Sequence, residues 1–274
     1  MDASRNGRIV AMASRDPARA WEMLAPYPEA RVLDSYDTLL ADPEIDAVYN
    51  PLPNSLHLEW TIRALEAGKH VLCEKPLAMN ARQAEDMAAA ADRTGRLLME
   101  AFMYRFHPDM NAFVEGVGEP IHVHATFGFT LRDEADIRFD PALGGGALMD
   151  VGCYTVSVSR WLLGEPVEVL ARARMKHGVD ATATGLLLFD GGGTASVWAS
   201  FESPEVQELE VITTEGLRRR TKPFSSWHDP HDPYQLMVES FGDSILRGKP
   251  VQIPLSESIA NMRVLDRIRE AFSS

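Results

Sequence analysis

The chain has 274 residues, with 27 Lys plus Arg against 40 Asp plus Glu, a formal net charge of −13 and a pI near 5.1. A hydrophobic fraction of 45% with 24% charged residues describes a globular protein of one or two domains with a sizeable core, not a disordered chain. The acidic balance leaves no basic stripe to release phosphate counterions, and no run of about 18 apolar residues or N-terminal signal core occurs, so neither nucleic acid nor a membrane is expected, and the cytoplasm is the default location.

Residues 8–13 (RIVAMA) form a short, continuously apolar run, and 46–50, 70–73 and 97–100 repeat that character. Strands that stay apolar rather than alternate are those buried on both faces of a parallel sheet. Helices are predicted between them. Asp16 followed by Pro17 reads as an N-cap and first-turn proline opening 18–25. The helix over 55–67 closes on Gly68 and that over 80–94 on Gly95, where a left-handed C-cap is wanted. Strand, helix, strand at this spacing means right-handed crossovers. The two cysteines, Cys73 and Cys153, fall inside apolar runs and read as small buried hydrophobes, which suits a reducing compartment.

From about residue 119 the pattern changes. Ile121, Val123, Ala125, Phe127 and Phe129 alternate with His122, His124, Thr126 and Gly128, the mark of a long half-exposed strand. Further strands are predicted at 167–175, 184–189, 194–201 and 208–213, with a turn at 190–193. Arg218-Arg219-Arg220 reads as a solvated turn. A helix over 146–163 interrupts the strands, and amphipathic helices over 234–246 and 256–272 end the chain. The expected fold class is α/β, with a Rossmann-like parallel sheet over 1–118 and an α+β domain with a mostly antiparallel open sheet over 119–274.

A dinucleotide-binding unit places G-x-G-x-x-G after its first strand. Here the earliest glycine is Gly7, and the runs 144–146 and 191–193 lack the third glycine in register, so the Rossmann-like sheet is incomplete. Chemistry-bearing residues lie elsewhere. Lys75 falls just past the carboxyl end of the 70–73 strand, where open α/β sheets place ligands. Hydride transfer from an alcohol needs a base for the hydroxyl proton, and a phenol of ordinary pKa near 10 serves if a nearby cation favours phenolate. Lys75 and Tyr154 are candidates for that pair. Asp150, four residues before Tyr154, shares its helix face and is placed to orient substrate hydroxyls. Each alone has a plainer use: Lys75 as a surface partner of Glu74, Asp150 as a complement to the helix dipole, Tyr154 as a core aromatic. Past the first strand stand Ser14 and Arg15, a small donor and a cation where NAD sites put an acid, so NADP is expected and NAD less so. No metal is expected: His122 with His124, and the cluster His228-Asp229-Pro230-His231-Asp232, lack a third ligand at a zinc spacing. Glu205 and Glu208 read as solvated strand carboxylates rather than a glycosidase pair.

Four segments carry a resemblance. They are Asn50-Pro51-Leu52-Pro53-Asn54-Ser55-Leu56-His57, then Ala67-Gly68-Lys69-His70-Val71-Leu72-Cys73-Glu74-Lys75-Pro76, then Ala101-Phe102-Met103-Tyr104-Arg105-Phe106-His107-Pro108, and Gly144-Gly145-Gly146-Ala147-Leu148-Met149-Asp150-Val151-Gly152-Cys153-Tyr154. In that order they resemble the Gfo/Idh/MocA oxidoreductases, and most closely the NADP-dependent branch of dimeric dihydrodiol dehydrogenase, glucose-fructose oxidoreductase and aldose 1-dehydrogenases. The resemblance implies hydride transfer between NADP and a sugar (aldose C1) or a cyclic diol, with Lys75 and Tyr154 as acid-base pair and Asp150 beside them. It implies cofactor contacts from Ser14, Arg15, Asn50, Pro51, Leu52, Asn54, Glu74, Lys75 and Arg105. His57 either packs the helix it opens or lies near the nicotinamide. A homodimer through the second-domain sheet is implied as well. A family member would begin with a strand, the glycine-rich turn and most of a helix, of which Met1 to Gly7 resembles the tail. The missing strand would be central, so the 8–13 and 46–50 strands are expected to show unpaired edges unless the remaining strands close the gap or the sequence is a shortened form. The alternative function is a noncatalytic sugar-binding or dimerising module.

Overall fold

A computed structural model describes residues 4–225 and 231–272, so His228, Asp229 and Pro230 of the clustered ligands lie outside the described residues. The chain starts with β1 (Ala11–Ala13), α1 (Pro17–Leu24), β2 (Arg31–Leu33), α2 (Tyr36–Ala41), β3 (Ala47–Asn50), α3 (His57–Glu66), β4 (His70–Cys73), α4 (Ala81–Thr94) and β5 (Leu98–Glu100). The caps are those the residue types dictate. Asp16 accepts from the amides of Ala18 and Arg19, and Asn80 from that of Gln83, each contact stabilising its helix by about 1 kcal/mol. Gly68 and Gly95 take left-handed backbone conformations at the ends of α3 and α4. On α4, Ala84, Met87, Ala90 and Ala91 form one buried stripe. β2 and α2 go beyond the sequence reading: a three-residue strand is too short to show a period, and α2 is started by Ser35, whose hydroxyl accepts from Thr38 N.

All these strands are parallel, but they form two sheets, β1-β2 and β3-β4-β5. β1 pairs with β2 alone and β3 with β4 alone, so the remaining strands do not close the gap and the expected unpaired edges are present among the described residues.

After α5 (Pro108–Glu115) come β6 (Pro120–Thr130), α6 (Cys153–Leu163), β7 (Pro166–Lys176), β8 (Val179–Phe189), β9 (Thr194–Ser200), β10 (Glu202–Thr213), β11 (Gly216–Thr221), α7 (Pro233–Arg247) and α8 (Leu255–Ala271). The six strands lie in the order β11-β10-β6-β9-β8-β7, antiparallel except for β6 with β9. Val123, Ala125, Ala195, Val197, Leu187, Leu209 and Val211 make the buried face. Arg218, Arg219 and Arg220 are not a turn: they belong to β11, where Arg219 bonds Glu210 across the strand pair and the edge position leaves Arg218 and Arg219 exposed while Arg220 is half-buried. The predicted helix over 146–163 divides into a five-residue π turn, Leu148–Gly152, and α6.

One apolar core runs through both units, from Leu72 and Met87 to Leu187 and Ile268, and α8 packs against α4 on one side and α6 and β7 on the other. Ser4 to Gly7 is not helical, contrary to expectation. Arg5 and Asn6 instead hydrogen-bond Glu239 and Asp243 on α7, which gives this segment polar partners that a free helix tail would lack.

Candidate active site

Three parallel strands end on one side, and the residues past their carboxyl ends build the site. β4 delivers Glu74 and Lys75, with a cis peptide between Lys75 and Pro76. The Lys75 ammonium donates to the backbone oxygen of Asp150 at 2.7 Å and to its Oδ1 at 3.0 Å, and lies 5.2 Å from the centre of the Tyr154 ring. Arg138 Nε donates to the other Asp150 oxygen at 2.8 Å, while its Nη1 engages Asp136. Asp150 is therefore a carboxylate clamped between two cations. Burial alone would raise its pKa, but Lys75 and Arg138 outweigh that and hold it below the ordinary value. Burial would likewise lower Lys75, yet Asp150, with Cys153 and Glu74, keeps the ammonium above its ordinary range. Asp150 and Tyr154 do share a face, since both touch Lys75.

The phenol is different from expectation. Tyr154 is buried among Phe102, Tyr104, Phe127 and Phe224, with ring centres 5.3 to 5.7 Å away. Burial first, then Glu74, pushes its hydroxyl well above the ordinary value, so the phenol is not lowered here despite the nearby ammonium. The reason is geometric: the ammonium is spent on Asp150 and meets the face of the ring.

The glycine run 144–146 serves close approach rather than a phosphate. A Cβ on Gly145 would lie 2.4 Å from the Arg138 carbonyl oxygen, and one on Gly146, where φ is +116°, would lie 2.3 Å from Asp180 Oδ1. Gly146 N donates to Arg138 O and Asp150 N to Gly146 O, so the turn fixes both partners of the clamp. A π turn places Asp150 immediately after it, a distortion common at functional sites.

The cofactor candidates divide. Ser14 Oγ accepts from Asp16 N, and Arg15 is exposed with no bond recorded to another described residue. Asn50 is buried and turned inward, donating to Thr61 Oγ1 and accepting from Leu52 N, which shapes the loop carrying Pro51, Leu52 and Asn54. Asn54 donates to Gly144 O at 2.9 Å, tying that loop to the second unit. His57 is fully buried, its ring nitrogens against Pro76 O and Leu52 O, and burial lowers its pKa. It braces two loops of the site. Glu74 accepts from Tyr49 OH and from Lys75 N. Arg105 stacks on Trp161, its guanidinium 3.8 Å from the ring centre, next to Tyr104, which packs on Tyr154. Cys73 and Cys153 are free and buried, with thiols pushed up by burial. His122 and His124 bond Thr194 and Ser196 hydroxyls at 2.7 Å.

Two family models match in tandem: an oxidoreductase family with an NAD-binding Rossmann fold over residues 1–102, and the Gfo/Idh/MocA C-terminal domain over 115–218. The chain belongs to the Gfo/Idh/MocA oxidoreductase family. The D-xylose 1-dehydrogenase (NADP(+)) 2 of Haloferax volcanii is 40% identical, over 95% of this chain and 88% of that protein. Among solved structures, aldose-aldose oxidoreductase from Caulobacter crescentus complexed with glycerol is 27% identical with a TM-score of 0.89, over 97% of this chain and 90% of its own. A 3-ketoreductase from Actinomadura kijaniata with a tyrosine replaced by phenylalanine, in complex with TDP-benzene and NADP, is 30% identical with a TM-score of 0.87, over 96% and 89%. The fold is thus the two-part arrangement of Gfo/Idh/MocA oxidoreductases.

Sequence reasoning missed Arg138, Asp180 and Tyr234. Arg138 stands 12 residues before Asp150 in a 3₁₀ turn, Ile137–Phe139, too short to show a period. Tyr234 opens α7 beside Glu74 and Lys75, with its hydroxyl raised by burial and then by Glu74. Nothing local marks either.

Proposed function

We propose that this oxidoreductase uses NADP(H) and transfers hydride between the nicotinamide and a sugar, at C1 of an aldose, or a cyclic diol hydroxyl. The observation that carries the reading is the Lys75 ammonium held between the Asp150 carboxylate and the Tyr154 ring at the carboxyl end of β4. Two of these relatives are named for D-xylose or aldoses and the third is a 3-ketoreductase, and two of them carry NADP in name or complex.

The residues present fit two ends of the cofactor. Ser14 and Arg15 offer the hydroxyl and, exposed and unpaired among the described residues, the cation that a 2′-phosphate wants, and the 50–57 loop with Glu74 and Lys75 lines the end where the reaction occurs. Among the described residues no glycine-rich turn supplies amides for the pyrophosphate. NADP(H), when bound, supplies or accepts the hydride. Lys75 and Tyr154 are both held protonated, so in the reductive direction one of them gives the single proton that a developing alkoxide takes and the other stabilises that oxygen by a hydrogen bond. Asp150, kept ionised, anchors Lys75 and accepts from a substrate hydroxyl. Arg138 keeps that carboxylate paired when Lys75 turns to the substrate.

The alternative is a noncatalytic sugar-binding or dimerising module. Titrating NADPH against the fluorescence of the five tryptophans separates the two. Saturable binding supports the first; none below millimolar removes it for this polypeptide.

We further propose a homodimer through the outer face of the six-stranded sheet. Leu170 and Leu186 pair across β7 and β8, and Ile212 and Leu217 across β10 and β11, all four 37 to 57% exposed on that face.

A further inference from the structure

We propose that Asp180, on β8, is a positioning residue for Asp150: it holds the turn through Gly146 and Leu148 from which that carboxylate is presented, and so sets the contact among Lys75, Asp150 and Arg138. The inference rests on the reading in which Asp150 acts at the site.

Asp180 is 5% exposed, and its Oδ2 accepts from Leu148 N at 2.6 Å. Its Oδ1 occupies the space a side chain at 146 would need. Gly146 is the node of the clamp, because its amide donates to the backbone oxygen of Arg138 at 2.9 Å and its carbonyl accepts from Asp150 N at 3.0 Å. One carboxylate therefore fixes the backbone from which both partners diverge. Among the described residues no ion pair neutralises it. Burial pushes its carboxyl up to about 6 despite the Leu148 amide. Arg269 acts on it only from beyond salt-bridge distance, and a buried carboxylate without a close cation costs folding free energy, so stability alone does not account for this residue. A one-ångström displacement at a reacting group is enough to slow turnover by about a hundredfold.

The test compares D180N, which keeps an acceptor oxygen in place, with D180A, D150N and D150N/D180A in the NADP-loaded enzyme. D180A is expected to lower kcat by about tenfold or more with KM within about twofold, and D180N to restore most of it. In the D150N background D180A is expected to remove nothing further, because its effect runs through Asp150. The amide resonance of Leu148 gives a second readout free of activity: in the wild type it moves with pH as Asp180 titrates, and in D180N it does not. If D180A fails to fold, D180N and this resonance still decide the matter. Multiplying losses in the double variant, or a Leu148 amide indifferent to pH, overturns the inference while an inactive D150N leaves the reading of the site standing. A fully active D150N removes both.

Discussion

Lys75 and Asp150 are joined twice, the ammonium donating to the aspartate's backbone oxygen at 2.7 Å and to its carboxylate at 3.0 Å. This bond crosses from the parallel-sheet unit to the π turn that precedes α6 in the antiparallel unit, so the proposed site is also a contact between the two halves. Removing the amine leaves Asp150 with Arg138 as its one cation among the described residues, and the fold with the rest of a shared core. K75A is expected to lower kcat by about a thousandfold or more while the protein stays folded, since a positioned acid or base contributes roughly 10²–10⁴. Steady-state turnover alongside circular dichroism checks it. A folded K75A enzyme with near-normal kcat would falsify the acid-base role.

The direction of the pKa shifts predicts an asymmetric pH dependence. Oxidation of an alcohol needs Lys75 or Tyr154 to give up its proton beforehand, and Asp150 and burial respectively hold them protonated. In that direction log kcat/KM is expected to climb with a slope near one from about pH 7 to 10. Carbonyl reduction, which uses the protonated forms, is expected to stay flat over the same range. Rates at constant ionic strength in both directions supply the check, and a plateau in oxidation below about pH 8 points to a different base.

Glu100 links the core to the site, because its Oε1 accepts from Leu77 N, two residues beyond Lys75. Burial pushes its carboxyl up to about 7, against Ser258, the Leu77 amide and Arg160. The folded pKa lies above the unfolded one, so the favourable contribution is present below about pH 4.5 and lost as pH rises through 7. E100Q, which keeps an acceptor for Leu77, should therefore gain stability over the wild type as pH rises, by up to about 3 kcal/mol above pH 8. Urea unfolding of both proteins at pH 5 and pH 8 measures it; an equal difference at the two values contradicts a raised carboxyl.

Much of this was readable in the residues. β4 falls on residues 70–73 as read, because three apolar residues, Val71 to Cys73, follow His70 between a Gly-Lys turn and a charged pair. α4 announces itself through Asn80 and Gly95, local signals at both ends. β11 was not readable, since Arg218, Arg219 and Arg220 look solvated until Glu210 is found across the ladder. Asp180 and Arg138 are invisible for the same reason: their partners are 32 and 12 residues away, and the fold alone brings them together. The lowered phenol expected at Tyr154 failed because sequence gives proximity to a cation without saying which oxygen that cation serves.

The outer sheet face makes a prediction about assembly. A charge at Leu186 would face the partner's apolar surface in an isologous pair, whereas in a monomer it would face water, since the side chain is 37% exposed. L186E is expected to shift a dimer to monomer in sedimentation equilibrium while its thermal midpoint at high dilution is unchanged. Identical masses for the variant and the parent place the interface elsewhere.

Arg15 tests cofactor choice. It stands one residue past Ser14 at the end of β1, exposed, and makes no recorded hydrogen bond or ion pair with another described residue. A guanidinium in that state loses little by turning to a phosphate, and a charge-assisted contact of this kind contributes about 1.5–3 kcal/mol. R15A is accordingly expected to weaken NADPH binding about tenfold to a hundredfold and to leave NADH binding within about twofold, because NADH has a hydroxyl where NADPH has the phosphate. The effect should shrink in the wild type as salt is raised, since an exposed cation is screened. Fluorescence titrations with both nucleotides at two ionic strengths make the comparison. If R15A weakens both nucleotides alike, Arg15 acts on the general field of the cleft and the discrimination between the two cofactors lies with other residues.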